Sequence, residues 1–196
     1  MNLSEMRARV REDLQDTEPE TYHWTDSEVD GAIQRCVLEY SVAAPIEQLS
    51  DISTTLDSTE LDISALTGIR KIESVEFPIG QRPPYYQRFA YWAGRLFMTD
   101  KGNGNDARVK WLQKHTLDAV STTIPGEHQE IIILGATGYL AMSAAAYTVD
   151  RASIAGRYGT MNYREWGKER LERYDRKLKE VAHGRRVIQR TFFTDE

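Results

Sequence analysis

Apolar positions follow two rhythms along this chain. Leu3, Met6, Val10 and Leu14 recur three or four residues apart, which predicts an amphipathic helix over 3–16. Asn2 with Glu5 makes a capping box at its start. Thr25 with Glu28 makes a second one, and Trp24 before the cap can staple onto Val29. The stripe Val29, Ile33, Val37 and Tyr40 carries that helix forward until Pro45 stops it. From about Leu49 to Leu117 the rhythm shortens. Runs rich in Ile, Val, Thr and aromatics occupy 54–64, 70–80, 88–100 and 108–118. Gly68, Gly80, Pro83-Pro84 and the stretch 101–106 (KGNGND) punctuate them, and the last predicts a hairpin loop. The region reads as four to six antiparallel strands. Helical rhythm returns after Pro125, with one helix over 127–150 and another over 162–183. Leu171, Tyr174, Leu178 and Val181 form the stripe of the last helix. Glu169–Arg173, Glu172–Arg176 and Asp175–Lys179 are spaced for ion pairs, and Gly184 is placed to end the helix.

These elements predict an α+β fold. A four-helix bundle, built from two N-terminal and two long C-terminal helices, would carry an inserted small antiparallel β sub-domain. The divisions are 1–48 for the first helices, 49–124 for the insertion, 125–184 for the long helices and 185–196 for an extended tail.

Composition narrows the classes. With 196 residues, 40% hydrophobic and 28% charged, the chain is globular and long enough to bury a core. A lone Cys36 excludes an internal disulfide and a multi-cysteine metal site. The first sixteen residues hold no apolar signal core, which points to synthesis in a reducing compartment. A net charge of −5 argues against a protein built mainly to grip phosphates. The charge is also uneven: residues 1–62 carry a net −11, whereas 63–160 and 161–196 each carry +3. Opposite charge at the two ends suits head-to-tail contact between copies.

Candidate chemistry is sparse. His23, His115, His128 and His183 are scattered without a metal-ligand spacing, 102–106 lacks the length and lysine of a phosphate loop, and no Gly-x-Ser-x-Gly occurs. No catalytic, cofactor or metal residue is assigned. The stretch 131–149 is uncharged for 19 residues. Its small residues Gly135, Gly138, Ala141 and Ala145 let another helix approach closely. That marks a central core helix, with a subunit interface at those four residues or a membrane span as alternatives. Past the last helix, Arg185, Arg186, Val187, Ile188, Arg190, Phe192 and Phe193 bring apolar side chains that must pack back on the chain or dock on a partner.

The order of parts resembles the head–tail connector (adaptor) proteins of tailed double-stranded DNA phages, in their larger form with a β insertion. The entry helix Leu3–Leu14 followed by Trp24-Thr25-Asp26-Ser27-Glu28-Val29 carries the resemblance. So do Val75-Glu76-Phe77-Pro78-Ile79-Gly80 with Pro83-Pro84, and Thr123-Ile124-Pro125 running through His128-Gln129-Glu130 into the Gly135-Ala136 helix. The resemblance implies a non-enzymatic virion protein, made in the host cytoplasm and placed at the capsid vertex. About a dozen copies would form a ring beneath the portal, with a channel that DNA crosses without tight binding. It implies that Arg185–Phe193 is a portal-docking arm and that the β sub-domain faces the tail or a neck completion protein. No cofactor and no membrane partner are implied. The alternatives are a soluble DNA-packaging accessory or regulatory module, monomeric or dimeric, and a hydrolase site within the strands.

Overall fold

The computed structural model describes residues 1–149 and 163–186. The chain forms two compact units. One joins Met1–Ala44 to the chain from His115 onward, and the other is Pro45–Lys114.

The helical unit begins with α1 (Leu3–Leu14) and α2 (Asp26–Ala43). Both capping boxes form. The Asn2 side chain accepts from the Glu5 amide at 2.9 Å while Glu5 accepts from the Asn2 amide at 2.8 Å. Thr25 and Glu28 do the same at 3.3 and 2.8 Å. Each box satisfies amides that the first helical turn leaves without partners. Gln15, at a φ of 54°, turns the chain out of α1. After Pro125 a 3₁₀ turn leads into α3 (Gln129–Val149), and α4 spans Tyr163–Arg186. The expected stop at Gly184 does not occur. A solvent-facing helical glycine costs only about 1 kcal/mol, and nothing here forces the left-handed conformation that a glycine stop uses.

The structure keeps the α+β class but overturns the four-helix bundle. Two helices precede the strands and two follow, and they do not surround one shared axis. The reason lies in α3. Residues Ile131–Gly138 are buried without interruption, so over these two turns the helix has no face to turn outward. It takes α1, α2 and α4 on different sides and occupies the place a bundle leaves to side chains. The lengths are also unmatched, from 12 residues in α1 to 24 in α4. The stripes themselves fall where the spacing puts them. Met6, Val10 and Leu14, then Val29, Ile33, Val37 and Tyr40, and finally Tyr174 line one core with Ile131–Leu134 and Leu140. Leu117 and Ile124 join it from the segment before α3.

The second unit has two antiparallel sheets, where the sequence pattern gave a single small sub-domain. Its strands are β1 (Ile46–Ser53), β2 (Glu60–Leu61), β3 (Ile69–Glu76), β4 (Tyr86–Gln87), β5 (Phe89–Trp92), β6 (Arg95–Met98) and β7 (Asp106–Gln113). One sheet has the order β1-β7-β3-β4 and the other β2-β6-β5. Strand β7 pairs with β1 from Asp106↔Ser53 to Gln113↔Ile46 and with β3 on its other side. Leu61, Ile63, Leu96 and Met98 meet Ile72, Val75, Val109 and Trp111 in one core. The stretch 101–106 does not form the expected hairpin. It carries the chain from β6 in one sheet to β7 in the other. Gly102 is needed there, since a Cβ would stand 2.4 Å from the Thr55 carbonyl oxygen. The tight hairpin is instead at Ala93-Gly94, closed by the Trp92↔Arg95 pair. Both turn residues have positive φ, 49° and 79°, which is the two-residue turn that matches strand twist.

Candidate functional site

Where α1, α2 and α4 meet in the helical unit, buried and half-buried ionic groups are engaged with one another. Arg11 on α1 is buried and donates to Asp16, to Asp26 at 2.7 Å and to the Trp24 carbonyl at 2.9 Å. Asp16 in turn accepts from the His23 amide at 2.7 Å. This network fixes the chain between α1 and α2. Arg7 grips Asp30 through two bonds of 2.6 and 2.8 Å and also reaches Asp26. The Arg11 hydrogen bond, with Arg7 and Arg11 as nearby cations, holds the Asp26 carboxyl below the ordinary range. Arg35 pairs with Glu39, and Arg170 on α4 reaches Asp13 at 2.6 Å. Along α4, Lys179 meets Asp175 as the spacing predicts. Glu172 pairs with Lys168 rather than with Arg176, and no Glu169–Arg173 bridge forms.

The fold brings together two histidines that the sequence leaves far apart. His115 and His128 flank the buried Tyr40, with ring centroids 4.9 and 5.6 Å away. The Tyr40 hydroxyl lies 2.5 Å from His128 Nδ1, and His115 Nε2 is 2.8 Å from the Ala44 carbonyl. Each contact closes the α2 terminus against the segment entering α3. No local pattern announces this cluster, because its members are 75 and 13 positions apart. Among the described residues no group of three or more His, Cys, Asp or Glu is placed to hold a metal ion. Burial pushes the Cys36 thiol up to about 12, so it stays protonated at neutral pH.

The small residues proposed for a subunit interface are placed inside this unit. A Cβ on Gly135 would stand 2.7 Å from Cys36 Sγ and 2.8 Å from the Tyr174 ring. A Cβ on Gly138 would meet Leu171 at 2.9 Å. Ala141 Cβ lies 3.0 Å from where a Cβ would fall on Gly167 of α4, and Ala145 is buried. Their close approach is taken up by α2 and α4 of the same chain. No helix among the described residues is long and apolar enough to cross a membrane. Of the proposed docking arm, Arg185 and Arg186 are the last two residues of α4. Val187, Ile188, Arg190, Phe192 and Phe193 lie outside the described residues.

The β unit turns different chemistry outward. Between Phe77 and Thr99 there is no Asp or Glu, but there are Arg82, Arg88 and Arg95 with Tyr85, Tyr86, Tyr91 and Trp92. All four aromatics are exposed, Trp92 by 79%. In the β5–β6 ladder, Leu96 and Met98 turn into the core. The alternation therefore sets Ala90, Trp92, Arg95 and Phe97 on the outer face, and Arg88 continues it beside Thr99. Arg95 pairs with Glu60 at 2.6 Å. Arg82 and Arg88 have no carboxylate partner among the described residues. Strand β5 is also the edge of its sheet, so its outer main-chain groups meet no neighbouring strand among the described residues. The signal of this face is present in the two-residue alternation Arg88-Ala90-Trp92 inside a run without acids.

Compared with known proteins, the chain matches no family model, and no curated protein is significantly similar to it.

Proposed function

We propose that this chain is a structural adaptor of a tailed phage, a head–tail connector subunit that links capsid to tail without catalysis. The observation that supports it most is the division of labour between the two units. The helical unit spends its buried polar groups on holding itself together, while the inserted β unit carries exposed tyrosines, a tryptophan and arginines without a carboxylate partner among the described residues. Such side chains dominate the energetics of protein–protein contacts. In this reading about a dozen copies form a ring beneath the portal at the head–tail junction of the virion. The segment from Arg185 to Phe193 reaches the portal, and the β unit meets the tail or a neck completion protein. DNA crosses the ring without tight binding, consistent with a net charge of −5.

Co-sedimentation of the purified chain with portal tests the reading. The expected result is a complex containing many copies per portal, lost on deleting residues 185–196 while the helical circular dichroism stays. A chain that neither associates with portal nor oligomerises in its presence overturns it and leaves the monomeric or dimeric packaging accessory. Titration with duplex DNA at physiological salt should give little binding, and a sub-micromolar complex would count against a passive conduit.

A further inference from the structure

We propose that the outer face of the β2-β6-β5 sheet, centred on Trp92, docks on the acidic Glu18–Glu20 segment of a second copy of this chain. The inference rests on the reading of the chain as a subunit that assembles with itself, and it names the contact.

Three observations carry it. First, Trp92 is the most exposed large aromatic among the described residues, held at the closing pair of a tight hairpin. A rigid tryptophan in the open gains much by being covered. Second, its neighbours on that face are Arg88, which lacks a carboxylate partner, and Arg95, which shares Glu60. The face therefore asks for acids. Third, the same chain supplies them. Glu18 and Glu20 flank Pro19 in a short exposed turn between α1 and α2, and neither is in an ion pair among the described residues. In the same unit Asp13, Asp16, Asp26, Asp30 and Glu39 are all taken by arginines. Glu28, Glu47, Asp57 and Asp62 also lack an ion pair among the described residues, but Glu18 and Glu20 set two such acids two positions apart on one exposed turn of the helical unit.

A nucleic acid is a poorer occupant. The β unit has nine acids against nine bases, and Glu60 sits across from Phe97 on the face itself. Few counterions would be released from a strand lying there. The composition, arginine and aromatics without lysine, is that of a protein contact.

The two patches are different surfaces, so the contact is heterologous. Each pair of copies leaves one patch of each kind open, and association continues until a ring closes or a filament grows. A symmetric dimer contact would stop at two.

Sedimentation velocity of the full chain, from micromolar to submillimolar concentration and at low and high salt, reads this directly. Wild type should pass beyond the dimer as concentration rises, and high salt should weaken it. Trp92→Ala and the double variant Glu18→Gln/Glu20→Gln should each weaken association at least tenfold. All these side chains are exposed, so far-ultraviolet circular dichroism should match wild type, and Arg88→Gln provides a further variant that removes no apolar contact. An equimolar mixture of the two crippled chains should give a species of two chains and nothing larger, because each brings the patch the other lacks. A wild-type chain that stays monomeric, variants that associate like wild type, or a mixture that stays monomeric each overturns the proposal. So does a labelled single-stranded oligonucleotide whose binding is lost in Trp92→Ala while self-association is unchanged. Portal co-sedimentation of Trp92→Ala separates the failures: portal attachment with wild-type self-association sinks this contact and leaves the adaptor reading in place.

Discussion

The arginines packed between the helices and those on the exposed face of the β unit are handled in opposite ways. In the helical unit Arg7, Arg11, Arg35 and Arg170 each end on a carboxylate, and Arg11 does so out of water. In the β unit Arg108 is locked to Asp51 by two bonds and Arg95 meets Glu60, but Arg82 and Arg88 have no carboxylate partner among the described residues. Burial explains the first pattern. A guanidinium removed from water must be surrounded by acceptors or it destabilises the fold by several kcal/mol. Solvent permits the second, because an exposed cation costs nothing while it waits. Paired arginines therefore report on folding, and unpaired ones beside bare aromatics report on what the surface meets.

The largest effect should come from cutting the buried network. Arg11→Met removes the partner of Asp16, whose side chain is 7% exposed, and leaves that carboxylate enclosed. Loss of one member of a buried pair costs about 3–5 kcal/mol. Urea unfolding of the variant should show a drop of that order. A change below about 1 kcal/mol would mean that water reaches Asp16, and the contrast between the units would lose its physical basis.

Next is the packing of α3. Gly135→Val puts methyl groups where Cys36 Sγ and the Tyr174 ring already stand within 3 Å of the added Cβ. Overpacking of this kind costs about 1–3 kcal/mol. The same variant should show faster reaction of Cys36 with a thiol reagent, since the thiol's inertness comes from its enclosure. Unchanged stability would indicate that α4 yields easily and that the small residues are not what sets its approach.

Much of the helical unit can be read from the chain because its signals are local. Asn2 and Glu5, or Thr25 and Glu28, are three residues apart, and a capping box needs nothing beyond them. The unbroken apolar run of α3 likewise announces a central helix. Four apolar stripes in the right places do not by themselves make a bundle. A helix buried all round over Ile131–Gly138 fills the axis that four half-buried helices would share. Gly184 misled because glycine can end a helix but is not obliged to. In the β unit, KGNGND carries turn residues, yet turn chemistry says only that the chain bends. Which strands pair across the bend depends on Val109 and Trp111 finding Ile72 and Val75 from far along the chain. The Tyr40–His115–His128 cluster and the Trp92 face were hidden for related reasons. The first is assembled by tertiary structure, and the second is recognised only once Leu96 and Met98 are known to point inward.

Trp92→Ala should leave folding almost untouched. The side chain is mostly in solvent, and exposed substitutions away from caps and networks change stability by about 0.5 kcal/mol or less. The same substitution is expected to act strongly on self-association. A large loss of stability would place Trp92 in the fold and dissolve the distinction drawn between the units.

The smallest effect concerns acid. Asp26 is held below the ordinary carboxylate value of 3.8, first by the Arg11 hydrogen bond and then by the charges of Arg7 and Arg11. A group depressed in this way binds fewer protons when folded than when unfolded. Its contribution is fully present above the unfolded value and disappears as pH falls through the folded one. The difference in unfolding free energy between wild type and Asp26→Asn should therefore be constant from neutral pH down to about 5 and shrink below that. Asp51, lowered first by its hydrogen bond to Arg108, provides the matching measurement in the β unit through Asp51→Asn. Both carboxylates are solvent-accessible, so both differences should diminish in high salt, the Asp51 pair more fully because Arg108 is itself partly exposed whereas Arg11 is buried. A difference that widens on acidification, or one in which Asp26 responds to salt more than Asp51, would show that the buried guanidinium does not organise its exposed partner.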